Sequence, residues 1–325
     1  MKQLGVVVIG RNEGERLRRC LESMSGVAPV IAYVDSGSTD GSVDMARARG
    51  VEVVELDMSV PFTAARARNA GFARLRQMAP DVELVQFVDG DCEVIAGWLE
   101  EASTFLNEHA DVACVCGRLR ERYPERSVYN RLCDFEWDRP TGETEACGGI
   151  AMMRAQVFAE LGAFREDMVA GEEPELCQRM RARGWKVWRL PSPMAWHDAA
   201  MTRFGQWWKR SKRTGFGNAQ RLWLTGSATD ASIVRQTVRT WLWGAALPVL
   251  TLVAVLAFGR IGLVLLLLYP LQFARIAITM KRGWRFNLER AFFLMLGKFP
   301  ELLGQIQFWS GHKKRRGSTS FDYKS

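Results

Sequence analysis

The chain has 325 residues, 44 Lys and Arg against 36 Asp and Glu, a formal net charge of +8, and seven cysteines. That length carries one large core, or one core with an appendage, and an odd cysteine count without regular spacing does not make a disulfide framework. The basic residues thicken beyond residue 179, in RMRARGWK, KRSKR, KRGWR and KKRR, beside apolar runs. This suits anionic lipid better than nucleic acid, and no RNA-binding signature accompanies them.

MKQLGVVVIG carries only a short apolar run before charge resumes, so it reads as a first strand and not as a signal peptide. In NEGERLRRCLESM, Leu17, Cys20, Leu21 and Met24 recur at helical spacing. The unit then repeats: VIAYVDSG is strand-like and TDGSVDMARARG helical, VEVVEL precedes VPFTAARARNAGFARLRQM, and ELVQFVDGD precedes GWLEEASTFLNEHA. Alternation of this kind predicts an α/β fold around a largely parallel sheet with helices on both faces. Ligands of such sheets sit beyond the carboxyl ends of the strands, where Asp35, Asp89 and Asp91 all fall.

From residue 110 the pattern loosens. DVACVCGRL, CGGIAMMRA and WKVWRL read as strands and EPELCQRMRARG as a helix, with 118–146 a loop region suited to lining a substrate site. Beyond residue 240, WLWGAALPVLTLVAVLAF and IGLVLLLLYPLQFA are uncharged. About 20 largely apolar residues cross a bilayer, so helices over about 237–258 and 261–280 are expected to span a membrane as a hairpin. Arg235, Arg239, Lys281, Arg282 and Arg285 would then keep both ends cytoplasmic. NLERAFFLMLGKFPELLGQIQFW reads as one amphipathic helix, about 287–309, kinked at Pro300 and followed by a basic tail. The expected division is a catalytic domain over 1–220 and a membrane region over 221–325.

Asp89-Gly90-Asp91 suits a hard divalent cation, since Mg²⁺ is commonly held by one or two carboxylates together with substrate phosphates. A helix cap or turn is the alternative for the same residues. His197, after a strand, would complete the metal site or serve as an ordinary loop histidine.

VVVIGRNEGERLRRCLESM, VIAYVDSGSTDGS, ARARNAG, FVDGD, CGGIAMMRAQVFAELGAFRED and GEEPELCQRMRARGWKV occur in this order. Together they resemble the family-2 glycosyltransferases over about residues 4–220. The resemblance implies the GT-A fold, a Rossmann-like mixed sheet, and an inverting transfer from a nucleotide sugar, expected to be UDP-linked, assisted by Mn²⁺ or Mg²⁺. It implies donor contacts from Arg11, Asn12, Glu13, Asp35, Ser38, Asp40, Arg68 and Asp89, and metal contacts from Asp89, Asp91 and His197. Glu173 would be the general base and Glu172 its neighbour. Here the chain departs from the family, with Glu-Glu where Glu-Asp is common. Gly148 and Gly149 would face the acceptor or diphosphate. So would Gln206, Trp207, Trp208 and Arg210, although the last Trp of the processive members' Gln-x-x-Arg-Trp is missing.

The expected acceptor is lipid-linked or a glycan, with polyprenyl phosphate as the alternative, at the cytoplasmic face of a bacterial inner membrane; self-association is left open. A Rossmann oxidoreductase is disfavoured because IGRNEG lacks Gly-x-Gly-x-x-Gly. A catalytically inactive membrane adaptor is disfavoured by the intact acids at 89, 91 and 173.

Overall fold

The computed structural model describes residues 4–226, 231–279 and 282–314. Met280, Lys281 and the basic tail beyond residue 314 lie outside them. The chain divides into two compact units, one of Met1–Met168 with Glu172–Met201 and one of Val169–Gly171 with Thr202–Ser325.

The first unit runs β1 (Leu4–Gly10), α1 (Glu15–Glu22), β2 (Val30–Asp35), α2 (Ser42–Ala48), β3 (Glu52–Glu55), α3 (Ala64–Met78), β4 (Leu84–Asp89) and β5 (Cys92–Val94). It continues with α4 (Trp98–Glu108), β6 (Val112–Glu121), α5 (Val128–Trp137), β7 (Gly142–Glu143), β8 (Ala151–Arg154), α6 (Ala155–Glu160), α7 (Glu172–Ala182) and β9 (Lys186–His197). The strands form one sheet in the order β3-β2-β1-β4-β8-β6-β9-β5, with β7 on β9. The half from β3 to β4 is parallel, as the alternation predicts, but β8 runs antiparallel to both β4 and β6. The sheet is therefore mixed.

Val6, Val7, Val8, Val34, Val85, Phe87 and Val88 are fully buried, as expected for strands covered on both faces. Gln86, the one polar side chain of β4 before its terminal Asp89, is satisfied there. Its Oε1 accepts from Trp98 Nε1 at 3.0 Å and its Nε2 donates to Phe87 O at 2.8 Å. The register places Gly10 opposite Asp35 and Ile9 opposite Asp89. Both aspartates consequently reach the same carboxyl edge.

In the second unit the elements are α8 (Phe204–Thr225), α9 (Ala231–Trp241), α10 (Leu247–Phe258), α11 (Leu268–Thr279), α12 (Trp284–Leu296) and α13 (Lys298–Lys314). Helix α8 belongs here, so the first unit ends near Met201 and not at residue 220. The reason is a close helix crossing: a Cβ on Gly215 of α8 would overlap the Glu301 carbonyl of α13, and one on Gly304 of α13 would overlap the Lys212 carbonyl of α8.

Ala231–Thr279 is apolar and long enough to cross a membrane by length and composition. The stretch is not straight. Gly259, at φ 63°, ends α10, and Tyr269 Oη donates back to Trp243 O at 2.6 Å, so the chain doubles over. The return leg opens as a 3₁₀ helix, Gly259–Leu267, where a continuous α-helix was expected. The expected helix over 287–309 is likewise two helices parted at Gly297. Pro300 explains this, because its ring obstructs the carbonyl four residues back, at Leu296, while its missing N–H is harmless in a helix's first turn.

Helix α3 packs on β1 and β2 through Gly71, where an added Cβ would overlap Val7 Cγ1 and stand 2.8 Å from Val34 Cγ2. Alanine ordinarily favours a helix over glycine by about 1 kcal/mol, but here the overlap decides the sign. Gly71→Ala is expected to destabilise the fold by about 1–3 kcal/mol, measured as a lower thermal midpoint. A rise would show that α3 stands off the sheet.

Candidate functional site

The turns after β1 and β2 lock together through polar side chains. Asn12 N donates to Ser38 Oγ at 2.8 Å, and Thr39 N donates to Asn12 Oδ1 at 2.8 Å. Asp35 is almost wholly buried. Its Oδ1 accepts from Tyr33 Oη at 2.8 Å and its Oδ2 from the N–H groups of Gly37 and Ser38 at 2.9 and 2.8 Å. Within the chain Asp35 thus shapes the turn. Asp40 Oδ1 accepts from Ser42 N at 3.1 Å, whereas Ser42 Oγ accepts from Gly14 N at 3.1 Å, which ties α2 to the first turn. Glu13 is buried and pairs with Arg16 at 2.6 Å; Arg11 lies beside it in the same turn. A Cβ on Gly90 would stand 3.2 Å from Glu13 Cγ, so the room that this glycine leaves is taken by Glu13.

Arg68 of α3 carries the centre of the site. Its Nη2 donates to Asp89 Oδ1 at 2.8 Å and its Nη1 to Glu172 Oε1 at 2.7 Å, while its guanidinium stands 5.7 Å from the Phe164 ring centroid. One planar cation therefore neutralises a carboxylate at the end of β4 and another at the start of α7. Gly149 lies against the guanidinium, since a Cβ there would be 2.7 Å from Nη2. Gly148, exposed and at φ 90°, turns the chain just before it.

Asp91 stands between β4 and β5, and Cys92 is the register partner of His197 on β9. Asp91 Oδ1 consequently lies 3.5 Å from His197 Nε2. Two ligands of one octahedral ion with bonds of 2.1 Å would be about 3 Å apart, so carboxylate and imidazole are spaced to share a divalent cation. Buried Cys92 touches Asp91 at 3.6 Å, but burial first, then Asp91 and Asp89, push its thiol pKa well up, which leaves it a neutral neighbour. Burial raises the Asp91 pKa against the opposing charge of His197. For His197 burial works against the imidazolium, yet Asp91, Glu121 and Asp89 together push its pKa above 6.5.

Glu121 is absent from the candidate residues read in the sequence, where it is one charge in RLRERY. In the fold it is buried, with Oε1 accepting from Asn130 Nδ2 and Tyr123 N and Oε2 from Ala199 N. Its Oε2 lies 3.8 Å from His197 Nδ1. The histidine ring is thereby flanked by carboxylates on both nitrogens.

The adjacent glutamates opening α7 diverge. Glu172 faces Arg68, whereas Glu173 Oε1 accepts from Cys147 N at 2.5 Å and from Cys177 Sγ at 3.0 Å. Burial, with Cys177 next, raises the Glu173 pKa well above 4.5. Cys147 directly precedes Gly148-Gly149, so Glu173 holds the back of the loop whose front touches Arg68.

Gln206, Trp207, Trp208 and Arg210 belong to the second unit. Gln206 Oε1 accepts from the N–H groups of Thr202 and Arg203, both at 2.9 Å, as a cap of α8. Trp207 is buried against Phe293, with ring centroids 5.0 Å apart.

Residues 5–162 match the model of glycosyl transferase family 2. This segment is a family-2 glycosyl transferase domain. Over 211 residues the chain is 26% identical to the pre-mycofactocin glycosyltransferases of two Mycobacterium tuberculosis strains, CDC 1551/Oshkosh and H37Rv, covering 61% of this chain and 43% of theirs. The chain therefore spans less than half the length of these curated relatives. Among solved structures it is similar to the mannosyltransferase PcManGT from Pyrobaculum calidifontis in complex with GDP-Man and Mn²⁺, with a TM-score of 0.64 and 17% identity, over 94% of this chain and 87% of that one. It is also similar to S. aureus TarS, with a TM-score of 0.53 and 13% identity over 96% and 55% of the two chains. At these identities the likeness establishes the fold, which is GT-A as the sequence resemblance implies.

The charge arrangement around His197 fixes a pH dependence. With no metal bound, His197 and Asp91 both have raised pKa values in the folded state. The His197 contribution to stability is fully present below pH 6.5 and lost as pH rises through its raised value; a raised carboxyl pKa acts in the same direction from 3.8 upward. In chelator the thermal midpoint is expected to fall on the alkaline side of the His197 transition, and His197→Gln is expected to flatten that fall. An unchanged slope in the variant would count against the flanking charges.

Proposed function

We propose that the protein transfers a sugar from a nucleotide-diphosphate donor, taken to be a UDP-linked hexose, to a lipid-linked or glycan acceptor, with inversion at the anomeric carbon. The observation that carries this reading is the meeting of Asp89 and Glu172 on Arg68, with the Asp91–His197 pair at the end of the same strand β4, in a chain whose residues 5–162 match family 2.

In this reading the turns bearing Arg11, Asn12, Glu13, Ser38 and Asp40 receive the nucleotide, on a platform that Asp35 holds rigid. Asp91 and His197, with Asp89 beside them, would hold a divalent cation, whose charge would make the diphosphate a better leaving group. Glu121 keeps the His197 ring turned toward Asp91.

The acceptor hydroxyl attacks the anomeric carbon from the face opposite the diphosphate and loses its proton to Glu173, while the bond to the diphosphate oxygen breaks. A carboxyl pKa raised by burial suits a base working near neutrality. Glu172, committed to Arg68, positions the cation that orients Asp89. Gly148 and Gly149 leave room for the acceptor or diphosphate.

The apolar hairpin supports a membrane-bound acceptor. Leu256, Phe258, Ile261, Leu271 and Ile278 are all outward and exposed, as lipid-facing side chains would be. We place the catalytic domain at the cytoplasmic face of a bacterial inner membrane, with the acceptor confined there at high local concentration.

The test uses detergent-purified protein, Mn²⁺ or Mg²⁺, and a panel of UDP-, GDP- and other nucleotide sugars, with polyprenyl phosphate among the acceptors. Transfer is expected to disappear in EDTA and to return with Mn²⁺. Glu173→Gln is expected to lower kcat by about 10²–10⁴-fold with donor binding retained, whereas Glu172→Gln should act mainly on donor and metal affinity. Near wild-type transfer in Glu173→Gln, with Glu172→Gln inactive, would move the base to Glu172.

A further inference from the structure

Three cysteines that are far apart in the chain meet inside the first unit. Cys114 comes from β6, Cys147 from the loop before β8, and Cys177 from the second turn of α7. Their sulfur atoms all lie within 4.8 Å of one another, and Cys147 and Cys177 touch at 3.5 Å. The Glu173 carboxylate is 3.0 Å from Cys177 Sγ. Cys116 is on the same strand as Cys114 but outside the cluster, its thiol directed to Trp188 O at 3.7 Å.

We propose that Cys114, Cys147 and Cys177 form a site for a thiophilic cation of the Zn²⁺ class, with Glu173 as the available fourth ligand. Zinc is commonly held tetrahedrally with three thiolates in the set, and carboxylate oxygen is among its ligands. With Zn–S bonds of about 2.3 Å, ligand sulfurs stand just under 4 Å apart, so the observed spacing closes on an ion with small side-chain movements. This site is chemically opposite to the hard-donor pair Asp91 and His197, and the two would sort ions by softness.

Binding forms three metal–sulfur bonds and one metal–oxygen bond as the three thiols, and Glu173 where it is protonated, release their protons to solvent. The Cys147 N–H, already donating to Glu173 Oε1, remains to disperse the charge of the set. Entry is by the loop around exposed Gly148, next to Cys147. Occupancy takes Glu173 into coordination, so a thiophilic ion withdraws the base and stops transfer. That consequence rests on the function proposed above; the binding itself does not.

The experiment titrates Cd²⁺ into the full-length, reduced protein and follows sulfur-to-cadmium charge-transfer absorption. The expected result is one equivalent bound with that band, and competition by Zn²⁺. Cys114→Ser and Cys177→Ser should each weaken binding by more than about tenfold, while Cys116→Ser should bind as the wild type does, with circular dichroism confirming that each variant folds. No charge-transfer band, or a band that survives in folded Cys114→Ser and Cys177→Ser, overturns the site. A band in protein that shows no transferase activity before Cd²⁺ is added overturns the proposed function and leaves the site standing. Retained transfer with one Cd²⁺ bound overturns the inhibitory consequence.

Discussion

The guanidinium of Arg68 is the constraint on which the rest of the site depends. It is almost fully buried, and a buried charge persists only when it is paired and hydrogen-bonded. Its two partners come from the end of β4 and the start of α7, 21 and 104 residues away in sequence. Without the cation Asp89 and Glu172 would be like charges sharing one crevice. With it, the edge of the sheet, α3 and α7 are held in one register, and Gly149 can lie directly on the guanidinium plane because it has no Cβ.

Charge is balanced in two different ways around that centre. At the open edge, Asp91 and Glu121 flank His197, an arrangement that accepts a positive charge on the imidazole itself or between imidazole and carboxylate. At the floor, Glu173 is stabilised by a backbone N–H and a thiol in an apolar setting, where the carboxyl group keeps its proton far more readily. Neighbouring residues of one helix thus have different chemistry because they leave α7 in different directions. Glu172 meets a guanidinium, and Glu173 meets sulfur.

Much of the fold was legible because its signal is local. The apolar runs of β1, β2 and β4, each ending in polar turns, declare strands, and Asp35, Asp89 and Asp91 announce the binding edge. The helical spacing of Leu17, Cys20 and Leu21 declares α1, and all three are buried in the structure. Other features had no local signal. Glu121 sits among arginines and reads as a solvated face until β6 is paired and α5 folds over it. Cys114, Cys147 and Cys177 have no spacing that suggests a cluster, because sheet order and not sequence brings them together. Gln206 looks like a ligand-binding residue by type, yet its side-chain carbonyl oxygen is taken up by the N–H groups of Thr202 and Arg203 just ahead of α8.

The sequence by itself determined the class of the protein, since alternating strands and helices and the acidic strand ends follow from periodicity and residue type alone. It also determined where an apolar hairpin begins and that Pro300 disturbs a helix. Tertiary structure decided the divisions of labour: the antiparallel insertion of β8, the assignment of α8 to the second unit, the break at Gly297, and the opposite facings of Glu172 and Glu173. The physical reason is common to all of these. Each depends on what lies across a contact between distant segments, a guanidinium, a carbonyl or a sulfur, and no pattern within one segment encodes its partner.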